Sequence, residues 1–323
     1  MFSSVFIFIL FSFNLNSNIL EARAGQTTTL SYGFYKDSCP QVENIVRAAL
    51  NSIHLMDPAS APSLLRLLFH DCQVQGCDAS ILLDSTSGGT PEIISSKNFG
   101  VKKLEHINYI KSMVEAACPL KVSCADILVL AAREAVALTL GPRIAVPLGR
   151  RDSSVAPSSK AADALLPPVS IGVDGMLRLF GGKGMTVEES VAIMGAHTLG
   201  VTHCVNILNR LASDTRMSPD FRASLRLSCQ LGSFTPNTSF VLNDPTTLMF
   251  DNHYYWNTLG GRGVLKIDAE LATNPKTSPF VQRFAANQGE FFRAFSSAFV
   301  KLSSYSVLTG KQGMIRRSCN KIR

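Results

Sequence analysis

Arg66 and His70 stand four residues apart, ahead of a short run rich in oxygen donors. On a helix, positions i and i+4 share one face, so this spacing holds an imidazole, a proton acceptor, beside a permanent guanidinium charge. The pairing suits polarising and cleaving a small bound molecule. Directly behind it come Asp71, Asp78 and Ser80, set around the turn residue Gly76, with Cys72 and Cys77 bracketing the loop.

The elements that must position these groups are helices. Val42, Ile45, Val46, Ala49, Leu50 and Ile53 recur at helical spacing and predict an amphipathic helix. Pro62 sits where a second helix starts, and Leu64 to Cys72 carry Arg66 and His70 along it. Ile107, Ile110, Val114 and Ala117 mark a third, ending at Cys118-Pro119. Cys124 to Ala137 is apolar nearly all round, which predicts a buried central helix. Thr186 and Glu189 make a capping-box pattern ahead of Val191 to Ala196. Pro279 opens a late helix, and Phe291, Phe295 and Phe299 stack at i+4 in another. Strand signals are confined to pieces such as Ile144 to Val146. The expected class is all-α with minor β, and Pro167-Pro168 interrupts any helix at a soft boundary near Leu165 to Pro168.

Residues 1–24 read as a secretory signal peptide: an apolar run from Phe6 to Phe13, then Ala22-Arg-Ala24 ahead of Gly25. That run is too short to span a bilayer. The remaining residues, 25–323, suffice for a large core. An even count of eight cysteines behind an export signal argues for disulfides over metal ligands, with the pairing open from sequence alone. Asn237-Thr238-Ser239 is a glycosylation acceptor. The formal charge of +7 is scattered singly, without the dense basic runs of a nucleic-acid arm. It reads equally as solvated surface charge or as an attraction to acidic wall polysaccharide. Neither a G-x-S-x-G elbow nor H-E-x-x-H is present, which removes the usual hydrolase signatures; a secreted binding scaffold is the other function class.

From about Gln26 to Cys319 the chain resembles the secretory plant (class III) haem peroxidases. The motifs that carry the resemblance are LLRLLFHDCQVQGCDASILL at Leu64 to Leu83, VSCADILVLAAREAV at Val122 to Val136, LGRRD at Leu148 to Asp152, MGAHTLG at Met194 to Gly200 and FDNHYY at Phe250 to Tyr255. The resemblance implies two helical lobes sandwiching haem b: a distal lobe over about 25–165, a proximal lobe over about 166–305, and a C-terminal segment tied back to the first. It implies a secreted, monomeric enzyme that reduces hydrogen peroxide while oxidising small phenolic donors, with no nucleic-acid or membrane partner.

Carried over position by position, His197 is the expected axial ligand of the haem iron and Asp268 the carboxylate behind its other ring nitrogen. His70 is the expected distal base, Arg66 its cationic partner, and Asn98 the group that fixes the His70 tautomer, with Glu92 placed to hold Asn98. Phe69 occupies the place that intracellular ascorbate and cytochrome c peroxidases fill with tryptophan; the single tryptophan here is Trp256. Pro167 aligns with a donor-contact proline. Two Ca²⁺ ions are implied. Asp71, Val74, Gly76, Asp78 and Ser80 match the distal site. Thr198, Thr246, Met249 (by its carbonyl) and Asp251 fit the proximal one, where spacing puts Asn243 at the place of an aspartate and Asp244 one residue late, so that either the loop shifts to use Asp244 or the site is weaker. The family pairing joins Cys39 to Cys118, Cys72 to Cys77, Cys124 to Cys319 and Cys204 to Cys229. His54, His106, His203 and His253 are read as structural or surface residues.

Overall fold

A computed structural model describes residues 30–229 and 238–322; the signal segment and Asn237 lie outside the described residues. Among these, the chain is helical throughout with one small ribbon. The first group comprises α1 (Val42–Met56), α2 (Ser60–Gln73), α3 (Leu104–Ala117) and α4 (Cys124–Leu138). There follow α5 (Ser159–Leu165), α6 (Val173–Gly181), α7 (Val187–Met194), α8 (Leu208–Ser213) and α9 (Pro219–Cys229). The last are α10 (His253–Leu259), α11 (Lys266–Leu271), α12 (Ser278–Ala286) and α13 (Gln288–Ser303).

The apolar stripe of α1 is buried as its periodicity requires, through Val42, Val46, Ala49, Leu50 and Ile53. α4 is buried on every side and packs on α1, α2 and α3, so its uniform apolarity is the price of a central position. Its start is fixed by the Ser123 side chain, which accepts from the Asp126 N–H. On the other side, α7 packs against α13 and α6. The Thr186–Glu189 capping box forms in both directions, and Glu189 also accepts from Lys301 at 2.7 Å and Ser297 at 2.6 Å, pinning α7 to α13. Along α13, Phe291 and Phe295 lie 5.8 Å apart between ring centroids and Phe295 and Phe299 lie 6.2 Å apart. One hydrophobic core runs through both groups, and α13 reaches α2 across it.

Two local expectations are corrected. Helix α2 begins at Ser60, so Pro62 falls inside its first turn, where a missing N–H costs nothing. Ile144 to Val146 forms no strand; the neighbouring Leu148 makes a single bridge to Ser31. The ribbon lies instead between β1 (Val201–His203) and β2 (Phe240–Leu242), antiparallel, with Thr202 opposite Val241.

The LGRRD motif is a latch. Arg150 and Asp126 are fully buried and pair at 2.8 Å, and Tyr35 donates its hydroxyl to Asp126 at 2.7 Å. Asp152 accepts from the N–H of Ala125 on α4 at 2.9 Å and of Arg316 near the C-terminus at 2.8 Å. Such a buried pair is costly to break because the survivor would be an uncompensated charge. All four disulfides join the expected partners: Cys39–Cys118, Cys72–Cys77, Cys124–Cys319 and Cys204–Cys229. No helix among the described residues is long and apolar enough to cross a membrane.

Candidate active site

A cavity of about 640 Å³ opens between α2 on one side and the turn after α7 on the other, within the range of small-molecule and cofactor sites. Arg66, Phe69 and His70 line one wall, and His197, Phe180 and Ile193 belong to its lining elsewhere.

On the α2 wall, Asn98 donates its Nδ2–H to the Glu92 carbonyl at 2.6 Å, which leaves Asn98 Oδ1 as the acceptor facing His70 Nδ1 at 2.6 Å. That network assigns the proton to Nδ1 and the lone pair to Nε2, where Arg66 Nε donates at 3.1 Å. A second Arg66 nitrogen is held by the Phe99 carbonyl at 3.0 Å. Burial, then the Arg66 charge, pushes the His70 imidazole down to about 3, against the opposing pull of Asn98. Burial also lowers Arg66, to about 10, so near neutrality the base is unprotonated beside a charged guanidinium. The expected role of Glu92 is altered in one respect: its backbone holds Asn98, while its buried carboxyl, pushed up to about 7 chiefly by burial, lies near Ser80 and Asp78.

On the other wall, His197 sits in a 3-10 turn, Gly195–Thr198, directly after α7. Its Nδ1 meets Asp268 Oδ1 at 2.9 Å, leaving the opposite ring nitrogen for the cavity that His197 lines. Asp268 is buried on α11 and also accepts from the Tyr254 hydroxyl at 2.8 Å and the Leu265 N–H at 2.9 Å. Burial alone would raise this carboxyl; His197 and the hydrogen bonds outweigh it and hold it below its usual value. The Tyr254 contact was not foreseen. FDNHYY marks the segment, but no spacing rule tells which tyrosine turns toward Asp268.

Two oxygen-rich clusters flank the cavity. In the first, Asp71 Oδ2 accepts from the Ala79 N–H at 3.0 Å and Asp78 Oδ1 from the Ser80 N–H at 3.0 Å. Burial raises both carboxyls, and their mutual repulsion raises Asp71 further. Gly76, at φ 134°, is required here, since a Cβ would lie 2.1 Å from the Ser306 carbonyl oxygen. Val74 is buried in the same loop, which the Cys72–Cys77 bond closes. In the second, the Thr198 hydroxyl donates to Asp244 at 2.7 Å and stands 3.2 Å from Asp251, while the Thr246 hydroxyl lies 3.1 Å from Asp244 and 3.0 Å from Asp251. Asn243 is not among them. It accepts from the Thr202 hydroxyl at 2.7 Å and donates to the Leu199 carbonyl at 3.0 Å, in the bend that follows β2. Of the two alternatives at this position, the geometry is that of a loop turned to bring Asp244, rather than Asn243, to the Thr198 and Thr246 hydroxyls. Met249 gives its N–H to the Thr246 carbonyl at 2.7 Å.

Pro167 lines the cavity. So does His203, whose ring stands 5.2 Å from that of Phe99. His253 is on the surface beside Asp251, and His106 lies against Asp57.

The site as built is that of a helical protein able to hold a flat cofactor between two histidines. One imidazole has a carboxylate behind it and the other a cation beside it, and the donor set fits a haem: a single oriented ring nitrogen on one wall and acid–base groups on the opposite one. A family model described as peroxidase matches residues 42–287. Peroxidase 29 of Arabidopsis thaliana is 54% identical over 303 residues, covering 91% of this chain and 89% of the relative. Peroxidase 28 of the same plant is 41% identical over 298 residues, 90% of this chain and 92% of its own. Peroxidase 66 of Zea mays is 40% identical over 308 residues, 94% and 93% of the two. The chain belongs to the peroxidase family, in its plant class III branch, and is a haem peroxidase that uses hydrogen peroxide.

Proposed function

We propose that this enzyme is exported as a monomer and oxidises small phenolic donors in two successive one-electron steps per peroxide, with His197 as the iron ligand and His70, Arg66 and Asn98 as the catalytic set. The observation that carries the assignment is that His197, backed by Asp268, and His70, paired with Arg66, line one cavity. Haem b supplies the redox chemistry when bound. The protein supplies orientation and protons.

His70 Nε2 carries the basic lone pair. It takes a proton from one oxygen of hydrogen peroxide and returns it to the other, which departs as water. Arg66 stabilises the negative charge that develops as the O–O bond breaks, with most effect where water is excluded. Asn98 keeps Nδ1 protonated, so that Nε2 alone acts. Asp268 holds His197 in one orientation and raises its basicity as a ligand. Overall, one peroxide and two phenols give two waters and two phenoxyl radicals. Pro167 forms part of the donor side of the cavity.

Calcium is proposed at both oxygen clusters. Asp71, Asp78, Ser80, Val74 and Gly76 would hold the distal ion; Thr198, Asp244, Thr246, Asp251 and the Met249 backbone would hold the proximal one. Buried carboxylates of one sign, with hydroxyls and carbonyls, suit a hard cation. The reading divides the enzyme into a distal lobe of about residues 25–165 and a proximal lobe of about 166–305. Four disulfides support an oxidising compartment, and the basic surface supports adsorption to acidic wall polysaccharide. The test is a spectrum and peroxide-dependent phenol oxidation of purified protein, wild type against His70→Ala. The variant should keep haem and react with peroxide roughly a hundred- to ten-thousand-fold more slowly; unchanged kinetics would remove His70 as the base.

A further inference from the structure

The segment that orients His70 is fastened to the segment that forms the donor side of the cavity. Thr90 bridges to Ser158, and Ser95 Oγ donates to Asp163 Oδ1 at 2.5 Å. Lys97, next to Asn98, donates its Nζ to the carbonyl oxygens of Asp163 and Leu166, both at 2.5 Å. Leu166 leads directly into Pro167, and Lys97 and Pro167 both line the cavity.

An ammonium group has three N–H donors. Two of these are taken by backbone carbonyls, which orient the group but carry no net charge, so the positive charge is not cancelled and one N–H remains. The cavity lining among the described residues includes Arg66, Lys97, Lys102 and Lys103 and no aspartate or glutamate. Lys103 is paired with Asp57 at 2.8 Å, and Arg66 is engaged with His70 and Phe99. Lys102 is exposed, and it is Lys97 that is bonded to the chain bearing Pro167.

We propose that Lys97 is a specificity-determining residue, whose ammonium beside Pro167 selects phenolic donors bearing a carboxylate, of the hydroxycinnamic acid type, over the matching neutral alcohols. This rests on the peroxidase reading above. The chemistry of turnover is unchanged: each phenol loses one electron and one proton while peroxide is reduced, and Lys97 only holds the carboxylate.

The experiment compares 4-hydroxycinnamic acid with 4-hydroxycinnamyl alcohol as donors for the holoenzyme, Lys97→Met and Lys97→Arg. The quantity read is the acid-to-alcohol ratio of kcat/KM, from which any loss common to both donors through the Asp163 and Leu166 tether cancels. An exposed charge contact predicts a ratio roughly two- to five-fold lower in K97M and retained in K97R. In the wild type, added salt should raise the KM of the acid and spare that of the alcohol. Equilibrium dialysis of the acid against peroxide-free holoenzyme should show its Kd rising by the same factor in K97M. A ratio unmoved by K97M, or a wild type blind to salt, overturns the proposal. Haem also carries carboxylates: loss of haem absorbance from K97M on gel filtration would make the cofactor the partner and overturn the donor assignment. Oxidation of neither donor by the wild type would sink the peroxidase reading itself, whereas oxidation of the alcohol without preference for the acid sinks only the role of Lys97.

Discussion

Asn98→Ala isolates the one neutral contact on the distal histidine. Asn98 is only 1% exposed, and it makes two short bonds, accepting from His70 Nδ1 and donating to the Glu92 carbonyl, each at 2.6 Å. Alanine leaves the His70 Nδ1–H buried and unpaired, while the Glu92 carbonyl keeps the Ser95 N–H at 3.0 Å. As Nε2 takes the peroxide proton, the ring becomes imidazolium and the Nδ1–H bond turns into a hydrogen bond to a charged group, worth about 1.5–3 kcal/mol. At about 1.4 kcal/mol per factor of ten, the reaction with peroxide should slow by roughly ten- to a hundred-fold, with haem retained. The pH dependence carries a sign. Burial and Arg66 depress His70, while Asn98 works the other way by favouring the protonated ring. Removing Asn98 should therefore push the acid limb of the rate lower still, whereas Asn98→Asp, which sets a carboxylate against Nδ1, should draw it to higher pH. Stopped-flow recording of the haem band against peroxide concentration, across the acid range, measures both effects. A rate within two-fold of wild type, with the acid limb unmoved in both variants, would refute the argument that Asn98 fixes the proton on Nδ1.

On the opposite wall, Asp268→Asn keeps the shape but removes the charge behind His197; the reduction potential of the bound haem should rise, and a potential unchanged by spectroelectrochemistry would count against the pairing. At the proximal cluster, Asp244→Asn should cost about one equivalent of bound calcium by atomic absorption and Asn243→Ala should not; equal losses would return Asn243 to the ligand set. Chelation should impose a pH dependence on stability. Asp71 and Asp78 are raised by burial, so without the ion the folded state holds protons that the unfolded state releases. Stability should then fall as pH rises from the normal aspartate range toward neutrality, and excess calcium should abolish that slope. A Tm indifferent to pH in chelator would show that these carboxyls are not strained by the missing cation.

Periodicity was enough to place α1, α4 and α13, because each buries a stripe or a whole surface whose apolar residues recur at helical spacing. The i, i+4 relation of Arg66 and His70 was equally legible, since both belong to one helix. The ribbon was not. Val201–His203 and Phe240–Leu242 bury only their middle residues, too short a pattern to separate from loop, and the link between them is a disulfide-closed excursion through α8 and α9. The choice between Asn243 and Asp244 was open for a related reason: the two lie in a bend just past β2, where no periodicity tells which side chain turns to the cluster. The contact between His203 and Phe99 was hidden because the two lie about a hundred residues apart, Phe99 on a loop with no periodicity to read.

The two catalytic-site histidines show how one side chain is given opposite duties by its neighbour. Each surrenders Nδ1 to an oxygen, at 2.6 Å for His70 and 2.9 Å for His197, and each keeps the other nitrogen for the cavity. The oxygen on His70 belongs to an amide, which cannot take the proton and adds no charge, so with burial and Arg66 the ring stays a neutral base able to accept and return a proton. The oxygen on His197 belongs to a carboxylate kept ionised in a buried site by Tyr254, Leu265 and the imidazole itself. On the proposed reading, that charge would drive electron density into the ring and make it a strong axial donor. Exchanging the two partners, Asn98 for Asp and Asp268 for Asn, would raise the proton affinity of the base and weaken the ligand together. In the proposed function, the division between acid–base and electron-donating work thus rests on Asn98 and Asp268, two side chains that act through the histidines they contact.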